Sequence, residues 1–178
     1  MREEIIEDIN RALDAGAHLS ALALAIAIPD FCGKYYIRKY KIENPQNPKG
    51  YSQSRFQYTE WYKKYFLMDT NGKKHNSDCK SKFSKMDSLN LSPEQCYALR
   101  CSFLHEMTEN INEQPVMNGQ EPTDVILYRG NVSFFLYENG EHNQHVNPGI
   151  EILIHQMIFA YKRFLSDNPE FEIELQNF

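Results

Sequence analysis

The stretch 18–33, His-Leu-Ser-Ala-Leu-Ala-Leu-Ala-Ile-Ala-Ile-Pro-Asp-Phe-Cys-Gly, constrains the fold more than any other part of the chain. It is rich in Ala and Leu, apolar on most faces, and reads as a helix that must be surrounded by other elements, so it belongs at the centre of a bundle. Its alanines permit close approach of neighbouring helices. Pro29 lacks a backbone N–H and is expected to kink or end the helix, and Asp30 then carries a carboxylate at the edge of a core element. Such a carboxylate needs a partner or solvent.

The remaining elements fall around this one. Residues 2–15 place Ile5, Ile6, Ile9, Ala12 and Leu13 at helical spacing with Gly16 as a stop. The segment 43–50, with two prolines and a glycine, reads as a loop. A third helix is expected over 54–67, from Phe56, Trp61, Tyr65 and Phe66, ending near 69–72. The polar, basic segment 73–90 reads as a loop or as a weak helix over 80–87. Ser92-Pro93-Glu94-Gln95 is a strong helix start, with a capping serine, proline at the first helical position and glutamine to complete a capping box, so a helix is expected over 93–109. Two strands, 125–128 and 132–137, separated by Arg129-Gly130-Asn131, read as a hairpin within 124–138. Asn147-Pro148 opens a last helix to about 165, and 166–178 is an acidic tail. The expectation is one domain over 1–178, mainly α: an antiparallel helical bundle, with its helical core at about 2–109 and 147–165, and a small β-hairpin inserted before the last helix.

Hydrophobic residues make up 42% and charged residues 24% of the 178, enough for a packed core and ordinary for a globular chain. The longest apolar run is far shorter than the roughly 20 residues that span a bilayer. The acidic N-terminus has no signal-peptide pattern, and a cytoplasmic protein without membrane contact is expected. Cys32, Cys79, Cys96 and Cys101 form no C-x-x-C pair and read as free, packing thiols. The net charge is −5, but 14 Lys/Arg face only 6 Asp/Glu between Lys34 and Arg100. Lys34, Arg38, Lys39, Lys63 and Lys64 are therefore candidate phosphate contacts, interleaved with Tyr35, Tyr36, Tyr40, Tyr51, Tyr58, Trp61, Tyr62 and Tyr65. Those aromatic rings either stack bases or turn into the core.

Arg100 lies mid-stripe on the apolar face of the 93–109 helix, with Cys96, Tyr97, Phe103, Leu104 and Met107 within about 60° of it. A guanidinium cannot neutralise itself, so it must find a carboxylate, carbonyls or a wet cleft. Asp30 is the first candidate partner and Glu60 the second. His105 stands five residues on, roughly 140° around a regular α-helix, so a single helix does not stack the two side chains. Either the arginine's length closes the gap, or a second copy brings its own Arg and His to a shared cleft about a two-fold axis. Metal-free RNA cleavage needs a base for the 2′-hydroxyl, an acid for the leaving oxygen and a cation for the phosphorane, roles that suit His105 and Arg100.

The segment Tyr97-Ala98-Leu99-Arg100-Cys101-Ser102-Phe103-Leu104-His105-Glu106 resembles the Arg-x4-His signature of HEPN-type ribonucleases. With 19–33 upstream, the resemblance extends over perhaps 100 residues, to small uncharacterised bacterial HEPN-like proteins. It implies a HEPN-like bundle and a metal-independent endoribonuclease of toxin, antiphage or RNA-processing type. The implied enzyme is a homodimer acting on RNA without a cofactor, with Arg100 and His105 catalytic and Asp30, Glu60, Tyr97 and Cys101 in support. Many active members carry Asn, Asp or His where this chain has Cys101. The alternative is a catalytically silent module that binds RNA, a nucleotide or a protein; a third reading is a protein-only regulator or toxin-neutralising protein whose acidic tail 170–175 serves as the contact. A cognate antitoxin or regulator protein is a further expected partner of the enzyme. His142 with His145, His75 with Cys79, and His155 offer only fragments of metal sites, and no metal is expected. No glycine-rich phosphate loop, G-x-S-x-G or H-E-x-x-H motif is present.

Overall fold

A computed structural model describes residues 2–45, 53–67, 91–106, 108, 110–118, 123–125, 127, 134–137, 144–147 and 149–171, with the three strands described by backbone alone. Its helices are α1 (Arg2–Asp14), α2 (His18–Tyr40), α3 (Gln53–Trp61), α4 (Pro93–Cys101) and α5 (Ile150–Asp167). Both α3 and α4 run on into wider turns, Tyr62–Leu67 and Ser102–Glu106, that close hydrogen bonds from i to i+5. A short 3₁₀ turn covers Pro115–Met117. The chain is mainly helical.

Local chemistry sets the helix ends. Gly16, at φ 71°, folds α1 back on α2, with Ala17 N–H donating to the Ala12 carbonyl at 2.8 Å and Gly16 N–H to Leu13 at 2.9 Å. This is the Schellman arrangement, which glycine adopts without a Cβ penalty. The expected capping box is present at the start of α4: Gln95 N–H donates to Ser92 Oγ at 3.1 Å, and Ser92 N–H to Gln95 Oε1 at 2.8 Å.

The central helix differs from expectation in its length. It passes through Pro29 and continues to Tyr40. Pro29 withholds one N–H from the Ala25 carbonyl, and the surrounding helices hold the segment regardless. Tyr58, on α3, donates its hydroxyl to the next carbonyl, Ile26, at 3.1 Å. Gly33 lies inside this helix because α3 crosses there: a Cβ at Gly33 would collide with the Gln57 carbonyl oxygen.

Partners along α2 and α5 rise in step, from His18 with Glu151 at 3.3 Å, through Phe31 with Tyr161 at 6.1 Å between ring centroids, to Lys39 with Asn168 at 2.7 Å. These two helices therefore run in the same direction, unlike the antiparallel arrangement expected for the bundle. A long connection through the strand segment lets the chain return to the starting end of α2 before α5 begins. By contrast, Tyr62 with Leu91 and Tyr58 with Cys96 make α3 and α4 antiparallel.

Trp61, Tyr58, Tyr62, Tyr65, Tyr161 and Phe164 are essentially fully buried and fill the space around α2. Each such ring contributes on the order of 1.5–3 kcal/mol by leaving water. Of the aromatic residues considered as base stackers, Tyr35, Tyr58, Trp61, Tyr62 and Tyr65 are thus core, Tyr36 is half-buried and Tyr40 is exposed. Tyr51 lies outside the described residues.

The strands are β1 (Thr123–Val125), β2 (Phe134–Tyr137) and β3 (Gln144–Asn147), in the order β1-β3-β2. β1 pairs with β3 in parallel and β2 with β3 antiparallel, with Phe135 opposite Val146. The two segments expected to form a hairpin with each other are therefore separated by β3. Its sequence, Gln-His-Val-Asn, has one apolar residue and none of the alternation that marks a strand, which is why no strand is expected there. Among the described residues, no helix is long and apolar enough to cross a membrane.

Candidate active site

Helix α2, continuous through Pro29, carries Asp30 on the side that faces α4. There Arg100 Nε donates to Asp30 Oδ2 at 2.8 Å, across 70 residues of sequence. The side chains keep 22% and 26% of their exposure, so the pair sits at the mouth of the core, where each charge is only partly hydrated. Burial raises the Asp30 carboxyl above its ordinary value, and the hydrogen bond and charge of Arg100 pull it back only in part. For Arg100, burial works against the charge, but the bond and charge from Asp30 outweigh it and raise the guanidinium.

The second contact depends on the wide turn. Arg100 Nη1 lies 3.1 Å from His105 Nε2, within one protomer. In an α-helix these positions diverge by about 140°. Closing hydrogen bonds from i to i+5 over Ser102–Glu106 adds one residue to the turn and brings position 105 back toward position 100. Of the two alternatives, closure of the gap within one chain is the one seen, helped by the wide turn as well as by the arginine's length. Buried Ser102 anchors the turn by donating its hydroxyl to the Asn110 carbonyl at 2.8 Å, while Thr108 N–H reaches the Ser102 carbonyl at 3.3 Å. Sequence reasoning missed Ser102 and Asn110, since neither residue type signals a turn of this kind.

Cys101 and Tyr97 complete the surroundings. The Cys101 sulfur is 3.9 Å from Arg100 Nη1. Half-buried Tyr97 is pushed up to about 12, first by burial and then by the adjacent Cys101 thiol. Behind them the Cys96 thiol, wholly buried and 3.3 Å from the Tyr58 hydroxyl, is raised to about 12 by burial. It is a packing group, as expected. His105 is exposed, so the outer edge of the pair is open to ligands.

The other proposed site residues distribute differently. Glu60 pairs with Lys63 at 2.9 Å and is not the partner of Arg100. Lys39 forms an ion pair with Glu170 and donates to Asn168 Oδ1 at 2.7 Å, so it clamps the end of α5. Lys34, Arg38, Lys63 and Lys64 are exposed. Lys34 and Arg38 follow Asp30 at successive helical turns, about 6 Å apart along the axis, which gives a basic row leading from the pair. His155 is elsewhere: with Asn10, Leu13, Asp14, His18 and Glu151 it lines a separate open cleft of about 410 Å³ at the start of α2 and α5. His75, Cys79 and His142 lie outside the described residues. Among the described residues, no three His, Cys, Asp or Glu side chains are grouped to hold a metal ion.

Compared with known proteins, the chain matches no family model, no curated protein and no solved structure.

Proposed function

We propose that this chain is a metal-independent endoribonuclease of the HEPN type, and that the Asp30–Arg100–His105 relay is its catalytic unit. The observation that carries this reading is the 3.1 Å approach of Arg100 to His105, with Arg100 fixed from behind by Asp30 at 2.8 Å. A permanently charged fork held in place beside an exposed imidazole supplies a phosphate anchor and a proton-transfer group within reach of one ester. The 2′-hydroxyl attacks the adjacent phosphorus, its proton passes to an imidazole, and the 5′-oxygen leaves with a proton from an acid. Arg100 stabilises the extra negative charge. Lys34 and Arg38 hold the flanking phosphates.

Transesterification uses a base and an acid, while among the described residues one imidazole, His105, lies beside Arg100. A homodimer in which a second copy contributes its own His105 supplies both, and remains part of the proposal, as does a toxin or antiphage role held in check by a cognate protein. The test is cleavage of varied RNAs in EDTA by wild type, Arg100→Ala and His105→Ala. Wild type is expected to cleave and each variant to lose at least 100-fold, the usual size of a general acid–base contribution. No wild-type activity, or equal activity in all three, contradicts it. A second reading, a silent module that binds RNA, a nucleotide or a protein, is favoured by Cys101 beside the guanidinium and by Lys39 and Lys63 being engaged with carboxylates. RNA retention without turnover in that assay selects it.

A further inference from the structure

The hydrogen-bond inventory of Arg100 determines more than its partners. A guanidinium carries five N–H donors and no acceptor. In the 3.1 Å contact the arginine nitrogen must donate, so His105 Nε2 accepts through its lone pair. The imidazole is then neutral, with its proton on Nδ1. This inverts the tautomer that a free histidine favours in water. It also leaves the lone pair that would take a substrate proton occupied by the cation that would bind the substrate phosphate.

Resting on the reading of this pair as the active site, we propose that Arg100 caps the His105 base in the resting protein, and that a phosphate-class anion opens the cap. The anion's oxygens accept from the Nη donors, and Nε2 is released. The ring, now beside an anion instead of a bare cation, takes up a proton from the buffer acid, and the resulting imidazolium can return that proton to a leaving oxygen. Asp30 keeps its hold on Nε throughout, so the guanidinium stays in place while its outer edge changes partner. Nε2 is therefore open to proton exchange with a substrate only when a phosphate occupies the site.

The surroundings favour this exchange. Among the described residues, the charged and titratable groups at His105 and its partner Arg100 are Asp30 on α2, Cys101 and Tyr97 beside the guanidinium on α4, and Glu106 next in sequence, where Gln114 donates to Glu106 Oε1 at 3.0 Å. A protonated His105 at its present position would place two cations 3.1 Å apart. An anion between them removes that repulsion. Anion binding and proton uptake are consequently linked, and each must favour the other to the same extent.

Nitrogen-15 NMR of the histidine rings tests this on the intact chain without any cleavage assay, with His105→Gln used to assign the signal. The expected result is the Nδ1–H tautomer for His105 in free wild type at mildly alkaline pH, and the Nε2–H tautomer in Arg100→Gln. Inorganic phosphate, and separately a nucleoside 3′-monophosphate, added at fixed pH should move the Nε2 signal of wild-type His105 away from the position of an accepting nitrogen. The ring signals of Arg100→Gln should not move. An Nε2–H tautomer in free wild type, or an Nε2 signal unmoved by both anions, overturns the proposal. The wild-type spectra decide this even if Arg100→Gln does not fold. Because the readout is the ring itself, a protein that never cleaves RNA still gives an answer, so this proposal and the ribonuclease reading fail separately.

Discussion

Two of the ion pairs on α2 differ in depth and direction. Arg100–Asp30 lies at the mouth of the core with about a quarter of each side chain exposed, whereas Glu170 of the Lys39 pair is 45% exposed at the far end of the helix. At the first pair, burial raises the carboxyl. At the second, the Lys39 hydrogen bond lowers Glu170 to about 2. The signs for stability are opposite. A carboxyl raised by folding binds its proton more readily in the native state, so Asp30 costs the fold stability as pH rises through the window above its ordinary value of 3.8. Glu170 contributes stability that is present above 4.5 and lost as pH falls toward about 2. A pair whose carboxylate is raised by burial serves the fold poorly at neutral pH, and its other property is the useful one: it fixes a cation beside an exposed histidine.

The largest expected effect is at the deeper pair. Asp30→Ala leaves a half-buried guanidinium without its partner, which should lower stability by about 1–3 kcal/mol in urea unfolding. RNA cleavage should fall to the level of Arg100→Ala while the far-ultraviolet circular dichroism stays helical. A variant that cleaves like wild type breaks the contrast, since Asp30 would then be no more than a surface carboxylate. The smaller effect is at the outer pair. Glu170→Gln should leave cleavage unchanged, and its stability difference from wild type should be present at pH 5 and shrink as pH falls toward 2. A difference that grows over that range would reverse the sign assigned to Glu170.

Much of this was legible in the residues themselves. The Ser92 capping box, the end of α1 at Gly16 and the central place of α2 follow from local chemistry that tertiary contacts do not override. Asp30 was identifiable as Arg100's partner because an apolar-face arginine demands a carboxylate and few carboxylates lie on core helices. The wide turn at Ser102–Glu106 was not legible, since it arises from packing of Phe103 and anchoring of Ser102 by a carbonyl eight residues on. Without it, the regular-helix geometry left open whether Arg100 meets His105 within one chain or across two. Lys39 read as a phosphate contact because its partner, Glu170, is 131 positions away and nothing nearby announces it. The strand β3 was hidden by its polar composition, and the run of α2 past Pro29 by a rule that holds for isolated helices more strictly than for surrounded ones.

The central claim is that Asp30, Arg100 and His105 act as one unit on RNA. A double-mutant cycle on the cleavage rate in EDTA, with Asp30→Ala, Arg100→Ala and the double variant, tests it most directly. If Asp30 acts only by fixing Arg100, the double variant loses no more activity than Arg100→Ala alone. Losses that multiply would show two independent contributions and contradict the account.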